Sequence, residues 1–203
     1  MMTPTLPVRA PLLLLLALGG LALASGPLAA TEPAGAVVDL SGSATAHRPP
    51  TEQALSVRDP VFLADTLSTA PASRLDLKLG ADLTLQLGAA STLVLADFSD
   101  EIGVTLEAGA VFVDKAPESS ARPLTIDSRF GQVSVRGTRV FVGPSREPFA
   151  VFVERGHVTV TGGGSTVTLA AGEGTSIAAP GAAPTPPARW GQPRIDAALA
   201  PFR

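Results

Sequence analysis

The chain is 203 residues long, one to one and a half domains by length, and 45% hydrophobic but only 4% aromatic; its 20 Gly and 19 Pro demand many turns. A net charge of −3 excludes a protein that grips nucleic acid or an acidic membrane by bulk electrostatics. The absence of cysteine removes disulfides, thiolate metal sites, iron–sulfur clusters, cysteine nucleophiles and the acylated cysteine of a lipoprotein together.

Residues 1–30 read as a secretory signal peptide. Arg9 supplies a positive start, "LLLLLALGGLALA" at 12–24 supplies 13 apolar residues, and small residues before Ser25 and before Thr31 offer cleavage sites. As a helix that stretch spans roughly 20 Å, short of a hydrocarbon core of about 30 Å. An uncleaved anchor is the alternative. The expected mature chain is exported, periplasmic or secreted, with no stable membrane span. Without disulfides its core alone must hold it, which a domain of about 140 residues can do.

From residue 31 to 178 the pattern is strand after strand. "RLDLKLGADLTLQLG" at 74–88 alternates Leu75, Leu77, Leu79, Leu83, Leu85 and Leu87 with Asp76, Lys78, Asp82, Thr84 and Gln86. Leucine favours helices, but a helix would spread these leucines and charges around its circumference and leave no buried face. Period-2 alternation wins, with Gly80 at the turn. The same reading places strands at 36–40, 43–47, 55–58, 61–63, 75–79, 83–87, 92–96, 103–107, 110–114, 124–128, 131–136, 139–142, 149–154, 157–161, 165–169 and 174–178. Many short strands at 8–12-residue intervals predict an all-β domain, a compact, irregular β-solenoid-like stack or a two-sheet sandwich.

Three segments echo one another: "GAVVDL" from Gly35, "GAVFVD" from Gly109 and "GHVTVT" from Gly156. In each a glycine provides a tight bend or positive φ where one strand passes into the next. Their uneven spacing excludes a solenoid of fixed period. After residue 178 the composition changes. "AAPGAAPTPPA" at 178–188 is a Pro/Ala linker expected to run extended, and 189–203 follows with Trp190, a short helix near 193–200 and Phe202. A tail set off by such a linker predicts that deleting 179–203 leaves the β domain folded. Trp190 stands out as a residue for docking back or for meeting a partner.

Chemistry is sparse. His47 and His157 are more than a hundred residues apart with no cysteine to join them, so no metal-ligand spacing exists, and His157 reads as a solvent-face residue. The acidic turn "ADFSDE" at 96–101 lacks the Asp/Asn/Gly ladder of a calcium loop. No Gly-x-Ser-x-Gly elbow occurs, and the β region lacks the Tyr and Trp platforms on which sugars stack. Nothing calls for a cofactor, and nothing reads as an enzyme.

The most unusual stretch is "RFGQVSVRGTRVFVG" at 129–143. A phosphate loop needs a glycine-rich turn that opens a helix, whereas here Val140, Phe141 and Val142 continue as a strand. Gly137 is therefore expected to be a bulge or sharp bend, and Thr138 a β-branched residue whose hydroxyl ties it. Val133 and Val135 share one face, and Val140 and Val142 rejoin the core only if the bend resets the register. Arg136 and Arg139 flank the bend on the solvent side, as residues able to meet a partner.

This run resembles the "V-x-V-x-G-T-x-F-x-V" core of FecR-type periplasmic domains. "DPVFLADTLSTAPASRLDLKLGADLTLQLG" at 59–88 is similar to that family's "G-D-x-I-x-T-x-x-x-S-x-A-x-L-x-L-x-D-G-S-x-L-x-L" segment. "VTLEAGAVFVD", "VFVERGHVTV" and "VTLAAGEGTSI" resemble its later "L-x-x-G-x-V", "V-x-x-G-x-V-x-V" and "V-x-L-x-A-G-Q" elements, in the same order, over roughly 36–178. One departure is specific: Phe141 stands one place after the family's usual Phe, where this chain has Val140. The family's iron-uptake regulators place an anti-sigma domain and a transmembrane helix ahead of this module, and here the signal-like segment stands instead. The resemblance implies the periplasmic module rather than a relay to a cytoplasmic sigma factor.

The leading expectation is an exported, non-enzymatic module that engages an envelope protein or polymer through sheet edges and loops, with no nucleic acid as partner. The alternative is a sensory regulator of iron-uptake type that signals through a separate membrane protein. An envelope enzyme ranks third, because no polar constellation converges.

Overall fold

The computed structural model describes residues 32–98, 101–117 and 123–203. The signal segment and its cleavage sites lie outside the described residues. Residues Thr31–Arg203 form one compact unit.

The strands are β1 Gly35–Ser41, β2 Ala44–Arg48, β3 Thr51–Ala54, β4 Pro60–Val61, β5 Thr66–Thr69, β6 Arg74–Leu79, β7 Leu83–Leu87 and β8 Thr92–Phe98. They continue with β9 Glu101–Ala108, β10 Val111–Lys115, β11 Leu124–Ser128, β12 Gly131–Gly143, β13 Phe149–Gly162, β14 Ser165–Ala170, β15 Glu173–Ile177 and β16 Ala188–Arg189. All join one sheet that curls into a half-barrel, so the chain is all-β as its alternation predicts. The pairings are antiparallel except β9 with β11.

The sheet has two branches. One runs β3-β2-β5-β8-β9-β11 and continues through residues 131–136 of β12, 157–162 of β13 and then β14. The other runs β4-β1-β6-β7-β10 and continues through 139–143 of β12, 149–155 of β13 and then β15 and β16. Inward side chains from both branches meet in one core, from Leu67, Leu95 and Ile126 on the first to Leu77, Leu85 and Val113 on the second.

The leucine ladders show why these residues are strands. Leu75 pairs with Leu87, Leu77 with Leu85 and Leu79 with Leu83, all buried, while Asp76 and Lys78 pair with Gln86 and Thr84 on the outer face. Each leucine withdrawn from water contributes about 1.5–3 kcal/mol relative to an exposed one. Gly80 takes φ +59° at the hairpin between the ladders, as expected.

Three expectations change. Residues 55–58 form a turn in which Ser56 N donates to Asp59 Oδ2 and Arg58 holds φ +79°. The strand expected at 61–63 shrinks to Pro60–Val61. Three strands escape the reading: β3, whose four residues are all exposed, β5, whose inward pair is Leu67 and Thr69, and the two-residue β16. The hydroxyl of Thr69 donates to Gly88 O at 2.6 Å, so a polar residue occupies a core position and hides the alternation.

The tail folds back. Helix α1, Gln192–Leu199, matches the expected helix and leads into a 3₁₀ turn at Ala200–Phe202. Trp190, Leu199 and Phe202 are buried with Phe112, Phe141 and Phe152 in a second apolar cluster on the outer face of the second branch. Trp190 stacks on Phe152 at 5.0 Å and meets Phe141 edge-on at 6.5 Å, while Phe202 lies 5.8 Å from Phe112. The linker runs along β15. There Thr185 N donates to Ser176 O, Ser176 N to Thr185 Oγ1, and Thr175 Oγ1 to Thr185 O.

Candidate functional site at the strand corner

Both β12 and β13 change partners midway, and the Arg-Gly-Thr run is where they do so. Before it, β12 lies between β11 and β13; after it, between β10 and β13. Strand β13 passes at the same level from β15 to β14. The pairings Arg136↔His157, Arg139↔Arg155 and Val140↔Val153 contain two register shifts, one bulge on each strand, which cancel. On both strands the inward parity therefore flips, from Val133 and Val135 to Val140 and Val142, and from Val151 and Val153 to Val158 and Val160. The bend resets the register, as expected of it.

Two glycines make the corner. Gly137 holds φ +58°, and a Cβ there would sit 2.8 Å from Pro117 Cα and 2.9 Å from Pro117 O. Gly156 holds φ +88°, and its Cβ would meet Thr138 Oγ1 at 2.8 Å and Gly137 O at 3.0 Å. Thr138 is fully buried, and its hydroxyl is shared between Arg136 O at 2.8 Å and His157 O at 3.0 Å. The side chain thus clasps both strands. Gly156 differs from its sequence reading: it kinks one continuous strand rather than leading into a new one. Gly109, at φ +76°, does link β9 to β10, packed so closely on Ser91 that no side chain fits.

The two arginines part company. Arg139 Nη1 pairs with Glu154 Oε2 at 2.9 Å, its Nε lies 3.3 Å from Asp114 Oδ2, and its guanidinium stands 5.3 Å from the Phe112 ring centre. Asp114 also binds Arg155 Nη2 at 3.0 Å. Arg136 is exposed and makes no ion pair or side-chain hydrogen bond among the described residues. It faces His157 across the strand pair, and Ser134 faces Thr159 in the next outward row. These four residues and the two corner glycines line a concavity of about 440 Å³. Trp190 is far from solvent in its aromatic cluster, with the Arg194 guanidinium 3.7 Å from its ring centre, and does not join the corner.

Phe141 and Val140 explain the departure from the family pattern. Position 140 points into the main core and is fully buried; Phe141 points outward, beneath Trp190 and Phe202.

Lys115 is a residue that sequence reasoning missed. It is 2% exposed at the inward end of β10, its ammonium has no hydrogen-bond acceptor among the described residues, and burial lowers its pKa against a smaller upward pull from Asp82. The parity of Val111, Val113 and position 115 was the available signal. No group of three or more His, Asp or Glu that could hold a metal occurs among the described residues, and no described helix is long and apolar enough to cross a membrane. The acidic turn at 96–101 contains residues outside the described ones.

Comparison with known proteins agrees with this geometry. The family model for the FecR protein matches residues 65–159, a span that runs from β5 through the whole corner and stops short of the tail. Two crystal structures of a candidate anti-sigma factor from Parabacteroides distasonis ATCC 8503, at 1.65 and 2.50 Å, share the fold. Each has 19% identity and a TM-score of 0.55 over 64% of this chain, and the chain spans 62% of the length of that protein. No curated protein matches. FecR domains are in general periplasmic and belong to regulatory proteins rather than enzymes. The stretch from Asp65 to Thr159, with the glycine-built strand corner at its end, is a FecR domain.

Proposed function

We propose that this protein is an exported, non-enzymatic module of the bacterial envelope that engages a partner by adding a strand at the open edge of β14. The supporting observation is how that edge differs from the others. Strand β3 carries Glu52, β4 and β16 are two residues long, β4 begins with Pro60, and the linker covers β15 through Thr185. Strand β14, "STVTLA", has six residues and no charge, proline or glycine. Edges normally carry such guards against pairing.

The geometry also says which groups are free. Gly163 and Gly164, at φ +52° and +75°, make a two-residue hairpin loop between Gly162 and Ser165. Alternation from that closing pair points the N–H and C=O of Thr166, Thr168 and Ala170 away from β13. Glu173 Oε2 indeed accepts from Ala170 N at 2.9 Å. Thr166 and Thr168 are left with outward backbone groups that an extended segment would satisfy.

Thr168→Pro removes one of those donors. The exported protein carrying it is expected to keep its melting temperature within a few degrees and to lose cross-linking to its envelope partner. Capture undiminished in that variant would sink strand addition at this edge. Export itself is tested by intact mass: extracytoplasmic protein retaining Arg9 would refute signal cleavage.

The FecR match favours a second reading, a sensory regulator acting through a separate membrane protein. A sigma factor and an outer-membrane transporter encoded beside it support that reading; neighbours in cell-wall or surface-polymer assembly support the first.

A further inference from the structure

We infer that the concavity at the strand corner is an anion site that takes a tetrahedral oxyanion, a phosphate group in chemical class. Three observations carry this. The first is the contrast between the arginines: Arg139 is engaged by two carboxylates, while Arg136, on the other side of the bend, has no partner among the described residues. A guanidinium fork with five donors and no acceptor is matched by an oxyanion.

The second is the register. Arg136 stands opposite His157 and Ser134 opposite Thr159 on the same outward face, so four donor-bearing side chains form a two-by-two patch. Directly opposed Cβ atoms are about 4.5–5.5 Å apart, within which one small anion reaches both members of a pair. Gly137 and Gly156 complete the lining of the recess beside these four side chains.

The third is charge. Among the described residues, the carboxylates of this corner are committed elsewhere: Asp114 and Glu154 to Arg139 and Arg155 on the second branch, and Glu173 to the Ala170 amide. The patch is thus locally positive on a chain of net charge −3. Donors from four side chains suit the four oxygens of a phosphate better than the two of a carboxylate. The site lies on the sheet face rather than at the β14 edge, so its failure would leave the strand-addition reading intact.

The test uses inorganic phosphate on the mature protein at constant pH and ionic strength, followed by amide NMR. Phosphate is expected to shift the Ser134, Arg136, His157 and Thr159 signals in a saturable way. Arg136→Ala should weaken that binding roughly tenfold or more, as loss of a charge-assisted bond does, and leave the melting temperature unchanged. Arg139→Ala should bind phosphate as the parent does. Signals that stay still, or shifts that survive in Arg136→Ala, would overturn the site. Equal shifts from acetate would overturn the tetrahedral assignment.

Discussion

The outer faces of the two branches share strands β12 and β13 and have opposite fates. On the second branch, Phe112, Phe141 and Phe152 stand in one row across β10, β12 and β13, beneath Trp190, Leu199 and Phe202. On the first branch the corresponding row is Thr125, Ser134, Thr159 and Thr168 across β11 to β14, with no such cover over Ser134 and Thr168, which are exposed. The difference sits in the middle letter of a repeated triplet. Strand β12 reads Val-Ser-Val before the corner and Val-Phe-Val after it; β13 reads Val-Phe-Val before and Val-Thr-Val after. The valines always face the main core. The residue between them reports whether the other face is wet or covered, because one-sided burial leaves alternation and two-sided burial erases it.

Removing the cover should have the largest effect. Ending the chain after Pro187 withdraws three large side chains and bares three phenylalanines. At about 1.5–3 kcal/mol for each buried side chain, the loss should be roughly 5 kcal/mol or more. The main core draws only Ala182, partly buried, from beyond residue 178, so a cooperative urea transition should survive at a lower midpoint. The shortened protein should also bind a hydrophobic dye. An unchanged midpoint would mean that the aromatic row needs no cover.

Next comes the corner that separates the two faces. Gly137→Val adds a β-branched side chain at positive φ against the Pro117 backbone, and a loss of about 1–3 kcal/mol from strain alone is expected, more with the clash. Gly80→Val makes the informative control, because Gly80 also has positive φ but no atom within 4 Å of its Cβ position. Thermal melts of the two variants separate strain from clash; equal losses would show that the approach to Pro117 does not matter.

Much of this was legible in the sequence. The strict alternation of 75–87 specified strands against leucine's helical preference, and the parity of Val135 and Val140 required a register reset at Gly137. Other features were hidden for physical reasons. Thr69 fills a core position by hydrogen bonding, so β5 lost its signal. The tail's role depends on Gly88 and Gly174, where a Cβ would crowd the Phe202 ring at 3.3 Å and Trp190 Nε1, and a glycine in a sequence does not say which ring it makes room for. The different fates of Arg136 and Arg139 follow from which branch each faces, and pairing partners far along the chain decide that.

A smaller effect tests the clasp. Thr138→Val keeps the shape and removes the hydroxyl that joins Arg136 O to His157 O, leaving two part-buried carbonyls with one fewer donor. A loss of about 1–3 kcal/mol is expected, and Thr138→Ser should recover most of it. Equilibrium denaturation of both variants checks this, and a neutral Thr138→Val would show that backbone geometry alone sets the corner.

The smallest effects concern the two arginines, one on each side of the bend. Arg139→Ala removes half-exposed ion pairs with Asp114 and Glu154 and a cation over the buried Phe112 ring, so the expected loss is below about 1 kcal/mol. Asp114 keeps Arg155 as its counter-ion. At 1 M salt, where screening acts over about 3 Å, most of that difference should vanish. Arg136→Ala removes an exposed side chain with no ion pair and should change stability by no more than about 0.5 kcal/mol at any salt concentration. Urea titrations of both variants at low and high salt give the four values needed. If Arg136→Ala proved the more damaging of the two, or its effect fell with salt as Arg139→Ala's should, Arg136 would hold a structural carboxylate. The open face would then be closed at the corner.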